Sequence, residues 1–171
     1  MKVLNDTFGV ARGMFTTVHA YTNDQVILDT PHKDLRRART AGQNIIPTST
    51  GAASAVGRVL PDMRGKLEAK ALRVPVADGS ITDLVAELES DASVDSINEA
   101  FREAAKGPLE GILRYTEEPL VSTDIVGDPH SCILDGGFTM TSGDRMVKVW
   151  GWYDNEWGYS SRLVDLVRKL A

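Results

Sequence analysis

Cysteine and histidine are scarce in this sequence. Cys132 is the one cysteine among 171 residues, which excludes an internal disulfide and indicates a reducing compartment. The three histidines have no spacing typical of a metal site, so no metal is expected. No stretch approaches the roughly 18 apolar residues of a membrane span, and the first residues lack the apolar region of a signal peptide. These absences indicate a cytoplasmic protein.

Two further absences limit the classes of function. No Gly-x-Gly-x-x-Gly pattern occurs, so the chain carries no dinucleotide-binding fingerprint. Positive charge is in deficit, with 19 Lys and Arg against 24 Asp and Glu, which argues against nucleic-acid binding by the whole chain. The hydrophobic content of 42% over 171 residues suits one soluble domain with its own core.

The apolar pattern predicts an α+β domain: a mixed, largely antiparallel sheet with helices packed on one face and a long irregular loop. Strands are predicted over 14–21, 71–76, 80–88, 131–134 and 145–153. Helices are predicted over 51–60, 94–106 and 156–170, with the tail of another over 1–10. The segment 23–46 has no clear periodicity, and loops of that length are usually functional or pack against a partner.

His19 stands at the end of the first predicted strand and is followed by hydroxyl, amide and carboxylate side chains. An imidazole there is suited to act as a general base, with Thr22 and Asp24 available to hold a hydroxylated or phosphorylated substrate. A core histidine bonded to a backbone group is the commoner role for a single residue of this type. The residues alone leave both interpretations open.

Two features favour the binding of an anion. Thr50 and Gly51 open the helix 51–60, where free N–H groups and the helix dipole attract phosphate, although plain N-capping is the alternative. Arg73 interrupts an apolar strand, so its guanidinium either binds a phosphate or reaches solvent at a sheet edge. Arg37 belongs to a group of arginines that is more typical of a solvated or intersubunit loop.

The segment 152–159 is unusually aromatic and contains Asn155 between its rings. It is either a strand-to-helix corner or a site for a planar ring that bears a carboxamide.

Cys132 and His130 are two residues apart and share a face if they lie on a strand. A thiolate–imidazole pair is a minor alternative there to a buried, inert cysteine.

Taken together, these segments resemble the catalytic domain of phosphorylating glyceraldehyde-3-phosphate dehydrogenases along essentially the whole chain. The matching segments are 2–9 (KVLNDTFG), 17–24 (TVHAYTND), 31–39 (PHKDLRRAR), 46–51 (IPTSTG), 72–76 (LRVPV), 128–131 (DPHS) and 152–159 (WYDNEWGY). The resemblance implies oxidation and phosphorylation of an aldehyde through a thioester in a homotetramer. It also implies NAD as cofactor, with glyceraldehyde 3-phosphate and inorganic phosphate as substrates.

The resemblance implies roles residue by residue. His19 matches the base that activates the catalytic thiol. The residues that match phosphate-binding positions are Thr22, Asp24 and Arg73 for the substrate phosphate, and Thr50, Gly51 and Arg37 for inorganic phosphate. The residues that match positions near the nicotinamide or linked to the preference for NAD are Asn155, Tyr159 and Pro31.

Two parts of the family's active site have no counterpart in these residues: the nucleophilic cysteine and the Rossmann domain for NAD. Cys132 matches a position where the family commonly has serine. We therefore expect one catalytic domain over 1–171 that is inactive alone and lacks most of the NAD site. The alternatives are a non-catalytic oligomerisation module, an erythrose-4-phosphate dehydrogenase domain and, least favoured, a Cys132–His130 hydrolase.

Overall fold

A computed structural model describes all 171 residues, which form seven strands and five α-helices. The strands are β1 Val10–Ala20, β2 Ile46–Thr48, β3 Leu67–Val74, β4 Ser80–Leu88, β5 Leu113–Thr116, β6 Cys132–Ser142 and β7 Met146–Tyr153. The helices are α1 Lys2–Phe8, α2 Ala52–Val59, α3 Val94–Lys106, α4 Ser122–Ile125 and α5 Trp157–Leu170. A single 3-10 turn, Pro61–Met63, follows α2.

The strands form one sheet in the order β2-β3-β1-β4-β7-β6-β5. Only the pairs β1–β3 and β5–β6 are parallel, and the other four are antiparallel. The predicted mixed, largely antiparallel sheet is therefore confirmed. Because β1 and β3 are parallel neighbours, their carboxyl ends lie side by side at the same edge of the sheet.

The core lies on one face of the sheet, where α1, α2 and α3 pack. Leu4 of α1 and Ile97 of α3 are fully buried there, against Leu84 and Leu88 of β4. Alternation along β4 leaves Val85 exposed on the opposite face, as expected for a sheet covered on one side. Ser93 begins α3 through a capping box, with its Oγ accepting the N–H of Ser96 at 3.1 Å.

Strand β6 is much longer than the predicted segment 131–134. The run from Asp135 to Gly137 is typical of a turn, yet the strand continues through it. Burial makes this possible, because Asp135 accepts a 3.0 Å hydrogen bond from Nε1 of Trp152, and the missing side chain of Gly136 leaves room for the ring of Tyr115. The short strands β2 and β5 were not predicted, since three or four residues carry too little periodicity.

The segment 23–46 is irregular, as predicted, with one isolated bridge between Val26 and Thr40. Asp29 holds its two arms together by accepting hydrogen bonds from Arg39 Nε at 2.8 Å and from the Thr40 N–H at 2.9 Å. Ile27 is 89% exposed, so this loop presents apolar side chains outward. None of the helices has both the length and the apolar character needed to cross a membrane.

Candidate active site

His19 and Arg73 are direct neighbours across the parallel pair β1–β3. The Nδ1 atom of His19 lies 2.6 Å from the carbonyl oxygen of Ala20 and 2.6 Å from Nη1 of Arg73. Burial is the largest influence on the pKa of His19 and lowers it, and the charge of Arg73 acts in the same direction. The imidazole is therefore neutral at neutral pH, which is the state that a general base requires.

A second arginine, Arg37, extends this cluster toward strand β2. Its guanidinium forms an ion pair with Asp24 and donates to Thr48 Oγ1 from Nε at 2.9 Å and from Nη2 at 2.6 Å. Burial lowers the pKa of Arg73, and the charge of Arg37 adds to this effect while Asp24 opposes it. Two guanidiniums and one carboxylate thus share one neighbourhood beside His19.

The segment that opens α2 lies next to this cluster, because Thr48 ends β2 two residues before Thr50. Thr50 Oγ1 accepts the N–H of Ala52 at 3.2 Å, but Thr50 precedes the N-cap residue and α2 has no side-chain cap, so the N-capping alternative is wrong. Gly51 is the N-cap residue, and no atom lies within 4 Å of the position that a side chain there would occupy. Its backbone is therefore open to a ligand.

Thr22 lies in the turn that follows His19, and its hydroxyl hydrogen-bonds Gln25 Oε1 at 3.2 Å. The same Gln25 oxygen accepts the backbone N–H of Thr22 at 2.9 Å. This turn presents Asp24, which is exposed, toward Arg37. Pro31 is also exposed but lies farther along the loop and does not line the cleft described next.

An aromatic cleft of about 300 Å³ lies on the other side of His19. Its lining includes Tyr153, whose ring meets that of His19 edge-on with centroids 6.0 Å apart, together with Asn155 and Tyr159. The corner is held by Asp154, a buried carboxylate that accepts three backbone N–H groups. The strand-to-helix corner and the candidate ring-binding site are thus the same structure.

Ser80 and Tyr153 are residues of this site that the sequence did not single out. Ser80 is 1% exposed; its Oγ accepts the N–H of Ala20 at 3.1 Å and donates to Asn155 Oδ1 at 2.8 Å. A serine at the start of an alternating strand carries no distinguishing signal. Only the pairing of Ser80 with Tyr153 across β4–β7 brings it within reach of Asn155 behind the cleft.

The remaining candidates have structural roles. Burial raises the pKa of the Cys132 thiol, which is the opposite of what a nucleophile needs. The ring of His130 hydrogen-bonds Asp128 Oδ1 at 2.7 Å. The structure therefore gives no support to a Cys132–His130 pair. No group of three or more His, Cys, Asp or Glu side chains is placed to hold a metal ion.

Fold and site together define an α+β domain in which a neutral histidine lies between an arginine cluster and an aromatic cleft. Comparison with known families is decisive here: the family model for the C-terminal domain of glyceraldehyde 3-phosphate dehydrogenase matches residues 1–155. The chain belongs to this family.

Curated relatives agree with this assignment. Glyceraldehyde-3-phosphate dehydrogenase of Mycobacterium avium is 62% identical over 166 residues, which are 97% of this chain and 49% of the relative. Glyceraldehyde-3-phosphate dehydrogenase 2 of Streptomyces avermitilis is 59% identical over 165 residues, which are 96% and 49% of the two chains. The chain thus spans about half the length of the curated relatives it matches.

Proposed function

We propose that this chain supplies the base, the phosphate sites and the nicotinamide contact of an NAD-dependent, phosphorylating glyceraldehyde-3-phosphate dehydrogenase. The observation that carries the proposal is the position of His19. Its ring touches Arg73 on one side and forms an edge-on pair with Tyr153 of the aromatic cleft on the other. A base at this junction is within reach of a phosphorylated aldehyde and of a planar cofactor ring.

The anion sites follow from the arginine cluster. Arg73 has donors aimed beside His19, and Asp24 with Thr22 forms the turn next to it, so these three residues hold the substrate phosphate. The open backbone at Gly51, with Thr50 and Arg37 near it, holds inorganic phosphate. Guanidinium groups bind phosphate oxygens in a bidentate manner, and helix N-termini attract anions.

The feature that suits the cleft to the nicotinamide end of NAD is the side-chain amide of Asn155. Because Ser80 occupies Oδ1 of Asn155, the amide Nδ2 is left to donate, and its sole contact is a long one of 3.4 Å to Glu156 Oε1. Asn155 is thus poised to donate to a carboxamide carbonyl, with the exposed ring of Tyr159 beside it. NAD, when bound, accepts the hydride of the reaction.

The isolated 171-residue chain is expected to be inactive. Cys132 is the one thiol present, and its raised pKa keeps it protonated, so no thiohemiacetal can form beside His19. Detectable NADH formation by the pure chain from glyceraldehyde 3-phosphate, phosphate and NAD would contradict this expectation.

A hybrid enzyme tests the proposal. The N-terminal half of the Streptomyces avermitilis relative is joined ahead of this chain, and NADH formation is measured. We expect activity, and the substitution His19→Asn should reduce kcat by about 10²- to 10⁴-fold, as for the loss of a general base. His32→Asn is the matched control and should have little effect. A hybrid that folds but has no activity would refute the proposal. A parallel assay with erythrose 4-phosphate decides which of the two aldehydes is the substrate.

A homo-oligomer in the cytoplasm is part of the same proposal. The uncovered sheet face exposes Met14 by 70% and Met140 by 55%, beside Phe138 and Trp150, which stack at 4.6 Å. Apolar surface of this kind is typical of protein interfaces. It equally supports the alternative of a non-catalytic oligomerisation module, which predicts association of the chain but an inactive hybrid. Sedimentation of the chain tests the association, and the activity of the hybrid separates the two interpretations.

A further inference from the structure

The Nδ1 atom of His19 has two neighbours that it cannot satisfy together. The carbonyl oxygen of Ala20, at 2.6 Å, accepts hydrogen bonds, whereas Nη1 of Arg73, also at 2.6 Å, donates them. A neutral imidazole nitrogen is either a donor or an acceptor. Arg73 also donates to the same Ala20 carbonyl at 2.9 Å, so guanidinium and imidazole compete for one acceptor.

The position of Arg73 decides which tautomer of His19 is favoured. Arginine keeps its proton at all ordinary pH values, so it always presents a donor to Nδ1. While Arg73 stays there, Nδ1 is favoured without a proton, and the ring proton is on Nε2. In that tautomer Nε2 cannot accept a proton. If Arg73 moves away, Nδ1–H can donate to Ala20, and Nε2 becomes the free acceptor.

Arg73 has reason to move when an anion arrives. Its Nε atom is buried and has no hydrogen-bond partner, and an unpaired buried donor is costly. The other arginine of the cluster is already paired, because Arg37 contacts Asp24, Asp34 and Thr48. The phosphate of an incoming substrate therefore finds an unsatisfied guanidinium donor on Arg73.

We propose that Arg73 is a positioning residue that couples occupancy of the substrate-phosphate site to the tautomer of His19. Without an anion, Arg73 holds the proton of His19 on Nε2. With phosphate bound, Arg73 turns to the anion, the proton moves to Nδ1, and Nε2 is ready to act as a base. This inference rests on the proposed function, in which His19 is the base and Arg73 binds phosphate.

Nitrogen-15 NMR of the labelled 171-residue chain tests the coupling directly, because the two ring nitrogens have different shifts in each tautomer. The spectrum is recorded at about pH 8, where an imidazole is neutral, during titration with glycerol 3-phosphate, an unreactive analogue of the proposed substrate. Sodium chloride at equal ionic strength is the control. We expect the His19 pattern to change from Nε2–H to Nδ1–H with glycerol 3-phosphate and to stay constant with chloride.

Two variants sharpen the test. Arg73→Met should show the Nδ1–H pattern with and without glycerol 3-phosphate, whereas Arg36→Met, which alters an exposed arginine with no contact to the ring, should behave as the parent chain. If glycerol 3-phosphate shifts the backbone signals of Thr22 and Arg73 but the tautomer does not change, the coupling is wrong while the proposed substrate-phosphate site stands. If glycerol 3-phosphate shifts neither the His19 ring nor these backbone signals, both the coupling and the proposed substrate-phosphate site are overturned. The titration of the parent chain decides the matter even if Arg73→Met fails to fold.

Discussion

The hydroxyl of Ser80 donates a 2.8 Å hydrogen bond to Oδ1 of Asn155 while it accepts the backbone N–H of Ala20 at 3.1 Å. One buried hydroxyl thereby joins the strand end that carries His19 to the corner that carries Asn155. The same bond determines which end of the Asn155 amide faces the cleft. The two halves of the proposed site are thus oriented by one buried hydroxyl that contacts both.

Replacement of Ser80 by alanine should lower the free energy of unfolding by about 1–3 kcal/mol, because a buried N–H and a carbonyl oxygen lose their partner. In the hybrid enzyme, Ser80→Ala should also raise the KM for NAD, since the Asn155 amide is free to rotate. Urea unfolding and steady-state kinetics measure the two effects. Ser54→Ala, on the exposed side of α2, is the control. An unchanged KM for NAD would show that Ser80 does not orient the amide.

Gly79 tests the turn that places Ser80. Its φ is 83°, and a Cβ atom there would collide with the backbone of Ser122. Gly79→Ala should therefore cost about 2–4 kcal/mol of stability, through backbone strain and overpacking together. Gly143 has a φ of 65° but open space around it, so Gly143→Ala should cost only about 1–2 kcal/mol. If thermal or urea unfolding shows the same loss of stability for Gly79→Ala and Gly143→Ala, the contact with Ser122 is unimportant.

Asp154 should contribute to the acid sensitivity of the fold. Burial raises its pKa, but hydrogen bonds from the backbone of Trp157, Gly127 and Glu156 outweigh this, so the folded pKa lies below the ordinary value of 3.8. A depressed carboxyl pKa stabilises the folded state above the unfolded pKa, and this contribution is lost as pH falls through the folded pKa.

Asp154→Asn should consequently cost about 2 kcal/mol at neutral pH, where the amide group turns a donor toward one of the three N–H groups. The difference in the free energy of unfolding between the parent chain and Asp154→Asn should become smaller below about pH 4. Urea unfolding across this range measures it, with the exposed Asp62→Asn as control. A difference that is constant with pH would exclude the carboxylate as its cause.

Cys132 should react slowly with iodoacetamide in the folded chain. Burial raises the pKa of its thiol, and the thiolate is the reactive form. In denaturant the rate should rise to that of an ordinary cysteine, which mass spectrometry can follow. Fast alkylation of the folded chain at neutral pH would instead support the thiolate–imidazole alternative.

The elements that the sequence predicts well are those with sustained periodicity. Helix α3 has the predicted bounds, because Ser93 and Gly107 mark its ends, and the alternation along β4 marks a strand covered on one face. Strand β6 was predicted too short, because Asp135 and Gly136 resemble a turn until Trp152 and Tyr115 are seen beside them.

The sequence by itself determined the α+β class, the family resemblance and the set of residue types, because these depend on local pattern and on motifs in order. Only the tertiary structure decided that Arg73 lies against His19 and that Ser80 orients Asn155. Each of these relations joins segments far apart in the chain. Sheet register and burial create them, and no local pattern encodes either.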